Sequence, residues 1–203
     1  HDLHAMLDLL SNGGEANNGT HYVHRGDLQW WLFYNDDPPE VWHNEIQLWF
    51  EADDLVGWSL LSPKEDAFDV FTQPGLRGDS REREMLTWTV NRMASHAELC
   101  NVWIDEKDEV RIRWLEANGF SVDDFHFVYF SRSLDDPIDG PVLPEGFHIR
   151  TSHGDKADAL LRSVASHAAF KAKKPFDEYW PRTLRFVQSP VYVPEHEIFI
   201  VSP

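Results

Sequence analysis

The sequence predicts an α+β fold, in which a mixed, mostly antiparallel central sheet is flanked by helices. Three stretches between 45 and 72, the first of which begins at Glu45, alternate apolar and polar residues as strands do, and short polar turns separate them. The last of these strands leads through a tight turn into an amphipathic helix that reaches residue 93. A similar order of elements restarts after residue 146, which indicates a second unit of the same kind.

Two helices are expected before the sheet. The first carries apolar residues at helical spacing, and the Asn-Gly-Gly sequence at 12–14 is expected to end it. Asp27 is expected to cap the second helix, which Pro38 and Pro39 would stop. The residues predicted to face inward in the first helix are Leu3, Met6, Leu7 and Leu10.

The strand at 68–72 is the centre of the predicted fold. A Pro-Gly pair follows it, and Ser80 is expected to cap the helix that begins at Arg81. The strand predicted at 99–104 should run parallel to 68–72 in the same sheet and splay away from it, as strands joined through a helix do.

Two more elements complete the first predicted unit. A helix over 108–117 is expected to bury Val110, Trp114 and Leu115, because these residues share one helical face. The alternation of apolar and polar residues over 125–130 predicts a further strand in the same sheet.

The start of the helix at Arg81 has the properties of an anion site. The first turn of a helix leaves backbone N–H groups without helical partners, and the helix dipole favours negative charge there. Gly78 in the preceding loop would let a phosphate approach the backbone closely. A pyrophosphate cradle is one interpretation, and an ordinary strand-to-helix connection is the other.

Composition restricts the class of partner. The chain has 203 residues, 42% of them hydrophobic, and a formal net charge of −17. Such an excess of acidic residues argues against nucleic acid and against an anionic membrane surface, since both need a basic face. A small-molecule partner is therefore expected, and a homo-oligomer stays open.

Cysteine content and hydropathy indicate the compartment. Cys100 is the single cysteine, so no disulfide can form within the chain, and a buried, inert thiol in a reducing cytoplasm is expected. No secretory signal and no apolar run of bilayer length is visible. No set of ligands with metal-site spacing is visible either, so no metal is expected.

The division of the chain follows from a linker and the restart. We predict a first domain at 1–134, a linker rich in Asp, Pro and Gly at 135–145, and the N-terminal part of a second domain at 146–203. The second domain should contain, in order, a strand at 147–150, helices at 156–170 and 176–187, and a strand at 198–201. Its inward residues are predicted to be Ala157, Leu160, Leu161 and Val164, followed by Trp180, Leu184 and Val187.

Several of these stretches resemble the GNAT N-acetyltransferases. The loop Pro74-Gly75-Leu76-Arg77-Gly78, followed by a helix with Met85-Leu86, is similar to the acyl-CoA-binding loop of that family. Gly119-Phe120 is similar to the end of a later family helix. The restart, with Pro144 to Arg150 and Ser189 to Pro194, resembles the second half of tandem GNAT proteins of the mycothiol synthase type.

This resemblance implies transfer of an acyl group from acetyl-CoA to the amine of a small molecule, by direct attack through a tetrahedral intermediate. A carboxylate, Asp69 or Glu45, would serve as the base, and Tyr129 is the nearest tyrosine that could protonate the departing thiolate. The strand end would pair with the pantetheine arm and the helix start would hold the pyrophosphate. The cofactor-binding residues implied are Phe71, Thr72, Gln73, Arg77, Gly78, Ser80 and Arg81.

The first unit departs from the family pattern at three positions. Ser80 and Glu82 stand where small residues, usually glycine, are found, and a carboxylate at Glu82 would face the diphosphate. Leu115 stands where the family has its catalytic tyrosine. The resemblance thus implies a degenerate first domain that lacks its first strand, with catalysis in the second. The alternatives are a first domain that still binds acyl-CoA, and a non-catalytic binding or interaction module.

Overall fold

The computed structural model describes residues 2–17, 21–34, 41–128, 130, 132–133 and 135–202. Its contacts divide the chain between Phe120 and Ser121 into two units. The helices are α1 Asp2–Ala16, α2 Arg25–Phe33, α3 Trp42–Glu45, α4 Ser80–Met93, α5 Glu109–Ala117, α6 Lys156–Ala169 and α7 Phe176–Val187. The strands are β1 Ile46–Glu51, β2 Asp54–Ser62, β3 Ala67–Thr72, β4 His148–Thr151 and β5 Ile198–Val201. Antiparallel sheets flanked by helices confirm the predicted α+β class.

The first unit is built on the antiparallel sheet β1-β2-β3. Alternation along β3 sends Phe68 and Val70 to one face, where Leu86 and Met93 of α4 pack on them in the main core. On the other face, the rings of Trp58 and Phe71 lie 4.8 Å apart. Because both faces of the central strand are covered, β2 is buried along nearly its whole length.

The end of α1 differs from the prediction, because the helix continues through the glycines to Ala16. Gly13 is buried, and a β-carbon there would lie 2.3 Å from the ring of Tyr22. The glycine therefore provides close approach of an aromatic ring, and it does not terminate the helix. This contact matters for the site, because Tyr22 reaches the edge of β3.

The helix caps are displaced by a few residues from those predicted. α2 is capped by His24, and Asp27 at its third position bonds back to the His24 N–H as the second half of a capping box. Asp79 caps α4 in place of Ser80 by accepting from Arg81 N. Asp108 caps α5.

The prediction of a strand at 99–104 is wrong, although the backbone at Asn101 runs parallel to β3 as expected. A single parallel bridge joins Ala67 to Asn101, and Phe68 N donates to Asn101 O at 3.0 Å. No strand follows at 102–105. The two backbones therefore meet at the start of β3 and do not pair beyond it, which leaves the outer edge of β3 without a neighbouring strand.

The strand predicted at 125–130 is also wrong over the residues that the structure describes there. Phe125 and Phe127 are in an irregular segment with more than 60% of each exposed. A strand at this place would need the edge of a strand at 99–104, and that strand does not form. The segment between Phe120 and β4 has no helix or strand among its described residues.

The second unit consists of the two-stranded antiparallel sheet β4-β5 and the packed helices α6 and α7. Its order of strand, helix, helix and strand is the one predicted. Val187 is buried as predicted. The other buried residues differ from those predicted, because Leu161 and Val164 are more than half exposed and the helices bury smaller or polar side chains. Those buried side chains are Asp158, Ala159, Ser163, Tyr179, Thr183 and Val187.

Ile149, Ile198 and Ile200 are exposed on this sheet, and Ile149 and Ile200 are paired across it. These side chains give the sheet an apolar surface. Across the described parts of both units, no helix combines the length and the hydropathy that a bilayer crossing requires.

Candidate functional site

The candidate site lies along the open edge of β3, where the backbone of 101–105 diverges. Residues 68, 70 and 72 direct their backbone groups to this edge, because the intervening residues pair with β2. Phe68 is bonded to Asn101, but further along the edge two side chains replace the missing strand. Arg111 Nη1 donates to Val70 O at 2.8 Å, and the Tyr22 hydroxyl donates to Thr72 O at 2.6 Å. The edge is therefore closed by side chains.

The loop between β3 and α4 is closed from within by Glu82, the third residue of α4. Gly78 N donates to Glu82 Oε2 at 2.6 Å, and Thr72 Oγ1 donates to Glu82 Oε1 at 3.3 Å. Gly78 has φ of +78°, which turns its N–H toward the carboxylate and favours glycine at this position. The carboxylate thus occupies the place where the sequence predicts an anion.

Three more N–H groups of this loop have partners in the protein. Arg77 N donates to Pro74 O at 3.2 Å, and Asp79 N donates to Leu76 O at 2.9 Å. Arg81 N donates to the Asp79 side chain at 2.8 Å. Carboxylates of the chain therefore hold the N–H groups of Gly78 and Arg81, and an anion from solution that bound either of these groups would have to displace a carboxylate.

Two arginines neutralise the buried carboxylates of Glu82 and Asp108. Arg111 Nη2 bonds to Glu82 Oε1, and the side chains of Arg111 and Glu82 are 4% and 3% exposed. Arg77 Nη1 lies 3.3 Å from Glu82 Oε1, and Arg77 Nη2 forms an ion pair with Asp108. We call Arg77, Glu82, Asp108 and Arg111 the charge cluster. Its two positive and two negative charges balance.

The pKa values follow from burial and these charges. Burial acts to raise the pKa of Glu82, but Arg111, Arg77 and the Gly78 N–H outweigh it and hold the pKa below its ordinary value. Burial and the neighbouring Arg111 lower the pKa of Arg77 to about 10. Burial raises the pKa of Tyr22, which therefore acts as a neutral donor. At neutral pH all these groups keep the protonation states that their contacts require.

Two clefts border the charge cluster. One has a volume of about 310 Å³, and Arg77 and Asp108 are among its lining residues. The other has a volume of about 270 Å³, lies at the starts of α4 and α5, and is lined in part by Gly78, Glu82 and Arg111. The charge cluster thus lies between two openings to solvent.

The remaining cofactor-binding residues predicted from the sequence have other contacts. The Phe71 ring packs with Trp58 on the face of the sheet away from α4. Gln73 donates from its backbone to Val56 O and from its side chain to Leu55 O, both on β2. The structure therefore uses these two residues to hold β3 to β2.

Ser80 and Arg81 lie on the surface at the start of α4. The Ser80 hydroxyl donates to Asp79 at 3.2 Å. The Arg81 guanidinium binds Asp79 and forms an ion pair with Glu51 of β1. Both side chains already bind protein groups, which a phosphate would have to replace.

Asp69 is the predicted base whose surroundings alter its acidity most. It is half-buried on β3, and burial raises its pKa to about 7, with Arg111 opposing this and Asp27 adding to it. Strand alternation places it on the same face as Phe71, opposite the core under α4. A carboxyl with a pKa near neutrality can exchange a proton, but neither cleft beside the charge cluster includes Asp69 in its lining.

The other two predicted catalytic residues do not join Asp69. Glu45 ends the short helix α3 and does not lie in β1 as predicted, and one of its carboxylate oxygens is buried without a hydrogen bond. The register aligns Ile46, Leu60 and Asp69 across the sheet, so Asp69 lies two strands, about 10 Å, from Ile46, the residue that follows Glu45. Tyr129 lies outside the described residues.

Sequence reasoning missed the residues that close the edge. Arg111 was not predicted to be buried, whereas Val110, predicted to be inward, is half exposed. One signal was available: Arg111 and Leu115 are four residues apart and share a helical face, so burying Leu115 also turns Arg111 inward. Nothing local indicates that Tyr22 reaches Thr72, because 50 residues separate them.

These contacts test whether an acyl-CoA fits the first unit. Its pantetheine arm would need the backbone edge of β3, and its pyrophosphate would need the N–H groups of the α4 loop. Arg111 and Tyr22 hold the edge, and Glu82 holds Gly78 N. In this arrangement the residues of the first unit do not fit the cofactor that the resemblance implies.

Comparison with known proteins shows a similarity to a solved structure. No family model and no curated protein matches the chain. A GCN5-related N-acetyltransferase from Sphaerobacter thermophilus is 16% identical to this chain, with a TM-score of 0.44. It covers 86% of this chain, and this chain spans 57% of the length of that protein. A likeness of this size does not establish a family.

Proposed function

We propose that this chain belongs to an acyl-CoA-dependent N-acyltransferase of the GNAT type, and that its first unit is a non-catalytic partner. The reaction class is transfer of an acetyl group from acetyl-CoA to the amine of a small molecule. We attribute the acyl-CoA site to the repeat that begins with β4. The single cysteine favours a location in the reducing cytoplasm.

The observation that carries this proposal is that side chains of the first unit occupy both the loop before α4 and the edge of β3. The order of β1-β2-β3, loop and α4 is the one in which the GNAT resemblance expects an acyl-CoA site, with a single parallel bridge at Asn101 in place of the expected parallel strand. In the same place, Glu82 takes the N–H of Gly78 and Arg111 takes the edge of β3. A fold that keeps this framework while filling it with buried charges supports a structural role for the unit.

Leu115 also supports a non-catalytic role for the first unit. It stands where the resemblance expects the tyrosine that protonates the thiolate, and it is buried in α5 with 6% exposure. A leucine has no proton to give, so the first unit offers no general acid at this position. We therefore assign no catalytic step to the first unit.

Calorimetric titration of acetyl-CoA into the chain tests the proposal. Ser80→Trp places an indole at the exposed mouth of the α4 loop, and Glu84→Trp is the matched control at an exposed position of the same helix. We expect Ser80→Trp to change neither the heat of acetyl-CoA binding nor the KM of the protein for acetyl-CoA. A loss of affinity with Ser80→Trp and not with Glu84→Trp would restore the first unit as a cofactor site.

Thiol release from acetyl-CoA by the protein, measured with a panel of small amines, tests the enzyme class itself. Release that depends on an amine is the expected result. If neither release nor acetyl-CoA binding is found, the chain is a binding or structural module that retains the fold without the chemistry.

A further inference from the structure

We infer that the Glu82 carboxylate is a built-in substitute for a ligand oxyanion, and that removing it opens a site for a free oxyanion in the first unit. The inference rests on the proposed function in one respect: both concern the loop between β3 and α4. The ligand class is a small oxyanion, represented by acetate and by inorganic phosphate.

The donors that would hold such an anion are already in place around Glu82. Gly78 N, Thr72 Oγ1 and Arg111 Nη2 donate to its two oxygens, and Arg77 Nη1 lies 3.3 Å from one of them. Two guanidiniums, a hydroxyl and a backbone N–H at a helix start form the donor set that proteins use for carboxylate and phosphate groups. A side chain of the protein fills it here.

Burial makes these donors costly to leave without an anion, because water cannot hydrate them fully. The Arg111 side chain is 4% exposed, so it cannot exchange Glu82 for full hydration without a rearrangement. The charge cluster balances two positive against two negative charges. Without Glu82, Arg77 and Arg111 would face Asp108 alone, and the cluster would carry one uncompensated positive charge.

Side-chain volume distinguishes the variants. Glu82→Ala removes the carboxylate and one methylene, which is close to the size of an acetate ion. Glu82→Gln removes the charge but leaves the volume filled, so no anion can enter. The pair therefore separates loss of charge from the opening of a site.

The experiment is thermal unfolding of Glu82→Ala, Glu82→Gln and the unchanged chain in acetate, phosphate or chloride at equal ionic strength. We expect Glu82→Ala to lower Tm by roughly 10 °C in chloride. Acetate and phosphate should then raise the Tm of Glu82→Ala saturably, and by more than they raise that of the unchanged chain, since a ligand that binds the folded state stabilises it. Glu82→Gln should follow the unchanged chain in its response to anions, because excluded salts act on all variants alike.

A second variant keeps the test decisive if Glu82→Ala does not fold in chloride. Recovery of its circular dichroism spectrum on adding acetate or phosphate is then the expected result, and adding Arg77→Met to Glu82→Ala should weaken that recovery. Equal responses of Glu82→Ala and Glu82→Gln to all three anions would overturn the inference. A loss of acetyl-CoA affinity with Ser80→Trp and not with Glu84→Trp would instead overturn the proposed function, so the two failures are distinguishable.

Discussion

Glu82 in the first unit and Asp158 in the second hold the same position in two helices. Each is the third residue of a helix that follows a strand, and each is capped one turn earlier by an aspartate, Asp79 or Asp155. Glu82 accepts from Gly78 N at 2.6 Å, and Asp158 accepts from His153 N, also at 2.6 Å. In both units, an acidic side chain of the first helical turn binds the loop that precedes it.

The two carboxylates differ in where their arginines come from. Asp158 pairs with Arg150, eight residues earlier in β4, and the Arg150 side chain is 23% exposed. Glu82 pairs with Arg111, which is 29 residues later in α5 and almost fully buried. The ion pair of the second unit therefore fastens a strand to its own helix, whereas that of the first unit joins α4, α5 and the edge of β3.

The largest expected effect comes from breaking the long-range pair. Glu82→Ala leaves a buried guanidinium without its partner, which costs about 3–5 kcal/mol in the free energy of unfolding. Urea unfolding measures this loss, and Glu84→Ala is the control because Glu84 is exposed on the same helix. The control should stay within about 0.5 kcal/mol of the unchanged chain. A similar loss in both variants would mean that the charge cluster contributes nothing specific.

The local pair of the second unit should matter less. Asp158→Ala removes the partner of Arg150, but that guanidinium is partly exposed and can be hydrated, so we expect a loss of about 2 kcal/mol. Arg150 lowers the pKa of Asp158 to about 2, so the contribution is present above the ordinary value of 3.8 and is lost as pH falls through the folded value. Unfolding of the variant and the parent at pH 7 and pH 2 checks both statements. A larger loss than that of Glu82→Ala would reverse the comparison.

Asp69 sharpens the comparison because its pKa shifts in the opposite direction. Its pKa of about 7 means that the folded state binds a proton that the unfolded state releases near pH 4. Stability should therefore fall as pH rises from about 4 to 7, and Asp69→Asn should remove this fall and stabilise the protein by roughly 1–2 kcal/mol at pH 8. Urea unfolding across this range measures it, with Asp53→Asn in an exposed turn as the control. A stabilisation by Asp69→Asn that is as large at pH 4 as at pH 8 would contradict the assignment.

The smallest effect should come from the neutral contact on the edge of β3. Tyr22→Phe removes the hydroxyl that donates to Thr72 O and keeps the ring on Gly13, so the expected loss is about 1 kcal/mol. Because no charge is exposed, this loss should be independent of salt concentration, unlike that of Glu82→Ala. Unfolding at low and high sodium chloride separates the two. A loss for Tyr22→Phe that depends on salt as strongly as that of Glu82→Ala would mean that the hydroxyl acts through the charges.

The sequence predicted the elements whose signals are local. β1, β2, β3 and α4 follow from apolar alternation and helical spacing, and the structure has them within about two residues of the predicted bounds. The restart at β4 also follows from order alone. These elements bury a regular face against a neighbour, so the pattern of each carries its own evidence.

The failures concern contacts between distant residues. The glycines of α1 resemble a helix end, but Gly13 serves the ring of Tyr22. The stretches 99–104 and 125–130 have strand composition, but a strand forms only where a partner edge is free, and Arg111 fills the edge of β3. Local patterns therefore predict the loop at the start of α4 but not the side chains that fill it.

Glu82 illustrates this limit most clearly. Its position in the loop motif predicts repulsion of a diphosphate, which treats the carboxylate as a charge without a partner. The structure gives it Arg77 and Arg111 as partners and lowers its pKa. The carboxylate therefore holds the loop together, and the prediction that it merely disfavours an anion is incomplete.

The Gly78 amide tests most directly the claim that the first unit supplies its own anion. The chain has 11 glycines, so ¹⁵N-glycine labelling gives a spectrum in which the Gly78 signal can be followed during titration with CoA. The account predicts that this signal stays in place when CoA is added at neutral pH. It also predicts that the signal moves when acid protonates Glu82, at a pH below the ordinary carboxyl range. A saturable shift of Gly78 with CoA at neutral pH would contradict it.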